Sequence, residues 1–139
     1  MNKLTSRQSI VINGPTEIDW KEKLNVEFRH LLLDDFLLNV GFGEAVNNAI
    51  EHGDFPIILN LRCNENMVEI NIKDNGDGFN VKKKLHDIEK YGTKKLLNDI
   101  VLEERGRGIL MMMQIFHTVN YNKRGNEVFL CKENEVASR

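Results

Sequence analysis

The sequence predicts an α+β fold: a two-layer sandwich with helices on one face of a mixed, mostly antiparallel sheet. Three observations predict it. Apolar residues alternate with variable ones from Ile57 to Cys63 and again at Val68, Ile70 and Ile72, on either side of the polar Asn64-Glu65-Asn66, which is the period of a β-hairpin. The segment that ends at His52-Gly53 carries its apolar residues at helical spacing instead. A second pair of short stretches, 119–122 and 127–132, flanks Lys123-Arg124-Gly125-Asn126 as a closing hairpin.

Taken in order, residues 9–13 form a β-branched run that stops at Gly14-Pro15, a first strand and its turn. Thr16 is placed to cap the charged and apolar stretch 18–33, which suggests a first helix. A second helix runs from Asp34 or Asp35 to His52, where Gly53 supplies the residue that ends it. Gly41 and Gly43 lie inside that helix, and each costs about 1 kcal/mol relative to alanine, so a late start or a bend is expected there. After the central hairpin comes a glycine-rich loop, Asp74 to Phe79. Residues 82–105 are rich in charge, lack a strand pattern and include Tyr91-Gly92-Thr93, which predicts a mobile loop with room for one short helix. Gly106-Arg107-Gly108 then opens a buried helix, in which Met111, Met112 and Met113 serve as core filler. The polar tail from Glu133 is expected to fray.

Composition narrows the function classes. The 139 residues are 41% hydrophobic and 29% charged, which fits one soluble domain with a core of its own. A formal charge of -2 gives no electrostatic reason to expect a nucleic-acid partner. Cys63 and Cys131 lack metal or redox spacing and are expected to be reduced core residues. The N-terminal stretch has no long apolar region of the secretory kind, and no apolar run is long enough to span a bilayer. The expected location is the cytoplasm, with no membrane partner.

Three motifs carry chemistry. At about 100° per residue, Glu44, Asn47, Asn48, Glu51 and His52 share one arc of the second helix, while Leu38, Phe42, Ala45, Val46, Ala49 and Ile50 share the other. The polar arc holds carboxylates and carboxamides without Lys or Arg, which suits a hydrated Mg2+ with its preference for oxygen. Asn48 could supply such an oxygen, and Glu44 could accept a proton. By itself the arc is equally a surface face that happens to carry Asn and Glu, and His52 is better placed to complement the helix C-terminus.

Asp74 shares parity with Val68, Ile70 and Ile72, so it leaves the sheet on the buried face. An ionised carboxylate there is acceptor-only and could receive the amino group of adenine, while Gly76 and Gly78 would let the backbone approach a flat base. Asp-Gly and Asn-Gly are also ordinary turn pairs. Amides at a helix N-terminus bind phosphate oxygens, which marks Gly106 and Gly108 as a phosphate loop, with Arg105 and Arg107 adding positive charge; a solvated loop is the alternative. No Walker-type or Rossmann-type glycine motif is present.

In this order, E-x-x-x-N on a helix, D-x-G-x-G after a strand and G-x-G at a later helix resemble the GHKL ATPase superfamily, which includes gyrase, histidine kinases and MutL. Glu44-Ala45-Val46-Asn47-Asn48-Ala49-Ile50-Glu51-His52-Gly53 is similar to the EAxxNAxxHG of bacterial anti-sigma-factor serine/threonine kinases, single domains of about this length. The resemblance implies an ATP site in which Glu44 is the catalytic base, Asn48 a Mg2+ ligand and Asp74 the adenine-binding carboxylate. It further implies that Gly76 and Gly78 line the base and that Gly106 and Gly108 bind phosphate. The implied partners are an anti-anti-sigma protein of STAS type, phosphorylated on Ser or Thr, together with a sigma factor and a second copy of the chain. A non-catalytic ATP-gated switch is the alternative function. A serine hydrolase is disfavoured, because Ser6, Ser9 and Ser138 lie near the termini with no nucleophile elbow.

Overall fold

The computed structural model describes residues 6–17, 19–98 and 104–133, with the backbone alone at 91–98 and 104–107. Five strands form one sheet: β1 (Ser6–Ile12), β2 (Ile57–Cys63), β3 (Met67–Lys73), β4 (Thr118–Tyr121) and β5 (Glu127–Glu133), in the spatial order β1-β2-β3-β5-β4. Each pairing is antiparallel, so the expected mixed character is absent from the described sheet. The helices are α1 (Val26–Asp34), α2 (Phe36–His52), α3 (Val81–Asn98) and α4 (Glu104–Ile115).

Strand alternation sets the two layers. Ile10 and Ile12 of β1, Leu59 and Leu61 of β2, Ile70 and Ile72 of β3, and Val128 and Leu130 of β5 are buried, and the register brings Leu59 opposite both Ile10 and Ile72. Against this face α2 lays Leu38, Phe42, Ala45, Val46 and Ala49, while α4 adds Ile109 and Met112. Phe116, just past α4, puts its ring edge where a Cβ on Gly41 would stand 2.7 Å away. Gly41 therefore lets the end of α4 sit directly on the α2 backbone, and α2 continues through both Gly41 and Gly43.

The first helix is shorter than the sequence suggests. Ile18 lies outside the described residues, a single 3-10 turn covers Trp20–Lys23, and α1 starts only at Val26. The cause is Gln8 on β1: its Oε1 accepts from the Asn25 amide at 2.6 Å, and its Nε2 donates to the Lys23 carbonyl. Those bonds tie down backbone groups at the join and hold Asn25 in an extended conformation. Trp20 is pinned on Phe42, with ring centroids 4.7 Å apart.

The charged segment after the glycine loop differs more. It is helical from Val81 to Asn98, straight through Tyr91-Gly92-Thr93. Asn80 begins it, accepting the Lys83 amide on its side chain at 3.1 Å, and Ile88 is buried. Residues 99–103 of the expected loop, and the tail 134–139, lie outside the described residues. Cys63 packs against the core, as expected, whereas Cys131 alternates with the buried Leu130 and sits half-buried on the outer sheet face. Burial, with Glu69 and Glu133 nearby, pushes the Cys131 thiol pKa up. Among the described residues, no helix is long and apolar enough to cross a membrane.

Candidate functional site

Helix α2 carries the first group of residues. Asp35 starts the helix by accepting the Leu38 amide at 3.0 Å, and α2 then delivers Glu44 and Asn48 to its C-terminal half. Both meet α4 at Gly108. A Cβ built there would lie 2.7 Å from Glu44 Oε2, 2.9 Å from Asn48 Nδ2 and 3.2 Å from Asn48 Oδ1. Only a residue without a side chain permits this approach, so Gly108 seats α4 over the polar arc. Asn48 is buried as a result, although it belongs to that arc, and its Nδ2 is a buried donor with no hydrogen-bond partner among the described residues.

Gly106-Arg107-Gly108 falls inside α4 rather than ahead of it, since the helix is already formed at Glu104. Gly106 and Arg107 are the third and fourth described residues of α4. Arg105 and Arg107 are described through their backbone alone. Gly108 is one residue further in, and its lack of a side chain is the property used.

The second group surrounds Asp74, one of two buried polar or charged side chains among the described residues, with Asn48. As strand parity requires, Asp74 leaves β3 on the helical side. Its Oδ1 accepts the Gly76 amide at 2.7 Å. Its carboxyl group also lies against the end of α2, where a Cβ on Gly53 would stand 2.4 Å from Cγ. Gly53 has φ of -96°, so a left-handed helix stop is not its role; it is needed for the close approach of Asp74. At the far end of the loop, Gly78 has φ of 78° and packs on the Arg124 carbonyl.

Asn48 of the first group and Asp74 of the second share one cleft. Ala45, Asn48, Asp74, Tyr121, Asn126 and Val128 line a cavity of about 20 Å³ between α2, β3 and the turn before β5. That volume holds about one water molecule, so a nucleotide base requires the cleft to widen. A larger depression of about 480 Å³ lies on the outer sheet face between Arg7, Asn60, Arg62, Asn71 and Phe129. It contains none of the motif residues, and the chemistry places the candidate site in the smaller cleft.

The donor set tests the fit of a divalent ion. Among the described residues no cluster of three His, Cys, Asp or Glu side chains forms a metal centre. Asn48 is a single buried carboxamide whose nitrogen is unpartnered, and its oxygen is of the type Mg2+ accepts. One protein oxygen matches an ion that arrives with phosphate ligands and water, and does not match a permanently held metal.

Sequence reasoning missed Asn122 and Asn126, which grip the glycine loop from the turn before β5. Their signal was composition alone, since Asn near a hairpin turn commonly binds its own backbone.

Fold and cleft together define an α+β sandwich of the GHKL type, entered between a helix and a glycine loop. The chain belongs to the histidine kinase-like ATPase domain family, whose model matches residues 28–132, well over half of the 139. The match starts inside α1 and contains every candidate site residue. Membership supports ATP binding by this domain. A search of curated proteins finds no match to the chain.

Proposed function

We propose that this domain is a protein serine/threonine kinase of the anti-sigma-factor type. In this reading it transfers the γ-phosphoryl group of ATP to an anti-anti-sigma partner of STAS type and regulates transcription by partner switching. The observation that carries the proposal is the convergence of Glu44 and Asn48 on Gly108. A carboxylate and a buried, incompletely bonded carboxamide lie side by side at the start of a helix whose first amides suit phosphate oxygens.

Each residue then has a defined task. Asp74 accepts the amino group of adenine, with Gly76 and Gly78 against the base. The Gly106 amide, with Arg105 and Arg107, holds the phosphates, Gly108 leaves room for them beside Glu44 and Asn48, and Asn48 offers its oxygen to Mg2+. When bound, Mg2+ neutralises charge on the phosphate oxygens. Glu44 takes the proton of the partner hydroxyl as that oxygen attacks the γ-phosphorus, and the bond to the bridging oxygen of ADP breaks. A sigma factor as second ligand, a homodimer and a cytoplasmic location belong to the same proposal.

The test incubates purified protein with Mg-ATP and STAS-type proteins from its own genome. Wild type is expected to phosphorylate one of them, and Glu44→Ala to bind ATP without transfer. ATP binding by wild type with no phosphorylated partner would favour the non-catalytic ATP-gated switch. Unchanged ATP affinity in Asp74→Asn would remove the adenine contact from the scheme.

A further inference from the structure

We propose that Asn122 is a positioning residue for base selection, acting on Asp74 through Asn126. The proposal rests on the reading of Asp74 as the carboxylate that meets the base.

The contacts form a short relay. Asn122 Oδ1 accepts the amides of Gly125 at 2.7 Å, Asn126 at 3.1 Å and Glu127 at 3.2 Å, which fixes the turn before β5. Its Nδ2 donates to Asn126 Oδ1 at 2.7 Å, so the Asn126 carboxamide has one orientation. In that orientation Asn126 Nδ2 donates to the Asp74 carbonyl at 3.1 Å, and the Asp74 amide donates back to the Asn126 carbonyl at 2.9 Å. Asp74 is thereby held at both backbone polar groups by one residue, itself oriented by Asn122.

The turn also grips the opposite end of the loop. The Phe79 amide donates to the Arg124 carbonyl at 3.0 Å, and the Gly125 α-carbon is packed so closely on Phe79 that a Cβ would lie 2.8 Å from its ring. Both ends of the segment from Asp74 to Phe79 are thus set by four residues of one hairpin, Asn122, Arg124, Gly125 and Asn126. Tyr121, which precedes the turn, meets Phe79 edge-to-face at a centroid distance of 5.1 Å and lines the cleft.

A turn stabiliser and a positioning residue differ in what they change. Losing the first lowers stability; losing the second lets the Asp74 carboxylate drift and reduces discrimination for the 6-amino group. Asn122→Asp separates them, because it keeps an acceptor for the three turn amides and removes the donation to Asn126. In the ligand-free protein, amide hydrogen exchange at Asp74 is expected to accelerate in Asn122→Asp. Calorimetric titration with ATP and with purine riboside triphosphate, which lacks the 6-amino group, is expected to show the wild-type preference falling about tenfold, as when a hydrogen bond to a charged group is lost. In an Asp74→Asn background the same substitution is expected to add nothing to that loss.

Wild-type protection of the Asp74 amide in Asn122→Asp would disprove the relay whatever the nucleotide data show. Accelerated exchange with an unchanged preference would reduce Asn122 to a turn residue. A wild-type protein that binds both triphosphates equally would overturn the base-contact reading of Asp74, and the role of Asn122 in base selection with it, while the exchange result still reports the relay. If Asn122→Asp does not fold, Asn126→Ala breaks the same link and is judged by the same measurements.

Discussion

At the loop end of the cleft, Asp74 is bonded at its amide, its carbonyl and one carboxylate oxygen by protein atoms within 3.1 Å. At the α4 end, a few residues away along α2, Asn48 buries an amide nitrogen that has no partner among the described residues, beneath a glycine. Both ends bury polar groups, yet only the first satisfies them within the chain. A satisfied buried network fixes one geometry, whereas a buried donor left unpaired costs about 1–3 kcal/mol. Substitutions at the two ends should therefore move stability in opposite directions, with nucleotide binding lost at both.

The largest effect is expected from Gly78→Ala. An added Cβ would stand 1.9 Å from the Arg124 carbonyl oxygen, in a backbone conformation at φ of 78° that side chains disfavour. Clash and strain together should cost about 3 kcal/mol in urea unfolding, and the binding seen by calorimetry should fall with it. A variant within about 1 kcal/mol of wild type, the size of an ordinary substitution, would show that the loop is not tied to the turn and break the contrast.

Asn48→Leu should shift stability the other way. Replacing the unpartnered amide with an apolar side chain of similar size is expected to raise unfolding stability by about 1 kcal/mol and abolish ATP binding. A fall in stability would mean that the Asn48 amide is satisfied after all, which would erase the difference between the two ends.

The smallest effect, Asp35→Ala, changes stability alone and serves as the reference for both. Asp35 caps α2 about 20 Å along the helix from Asn48 and bonds Lys132 Nζ at 2.6 Å. Loss of the cap should cost about 1 kcal/mol, with ATP affinity unchanged. Burial pushes the Asp35 pKa up, but Lys132 and the Leu38 amide outweigh it and hold the carboxyl below its usual value. Since the folded-state value is depressed, the stabilisation is present above the ordinary carboxylate range and disappears as pH falls through the depressed value. Urea midpoints of wild type and Asp35→Ala should accordingly converge in acid and stay apart at neutral pH.

Local periodicity made the central hairpin and α2 legible, and parity alone sent Asp74 toward the helices. Parity also placed Cys131 on the outer face, opposite to Leu130, but its apolar neighbours suggested the core. The split of the first helix depends on Gln8, which bonds Lys23 from 15 residues away, a contact no local pattern encodes. Helix α3 was hidden by its charge and its central glycine, while Asn80 held the cap that could have revealed it. E-x-x-x-N and D-x-G-x-G singled out Glu44, Asn48 and Asp74 as candidates, yet the hold of Asn126 on Asp74 spans 52 residues. Asn122 was equally hidden, because its own bonds look like those of an ordinary turn.

The contact between Phe116 and Gly41 has a mechanical consequence for α4. With one end seated on the α2 backbone, any tilt of the helix would turn about Phe116, with Gly108 at the end of the arm. Eight residues at about 1.5 Å each give an arm of about 12 Å. A tilt of about 10° about that pivot would lift Gly108 from Glu44 and Asn48 by about 2 Å over that helical length, while Phe116 hardly moves. Such a tilt would draw Ile109 out of the core together with Gly108, so the packing of Ile109 holds the helix down on the polar arc.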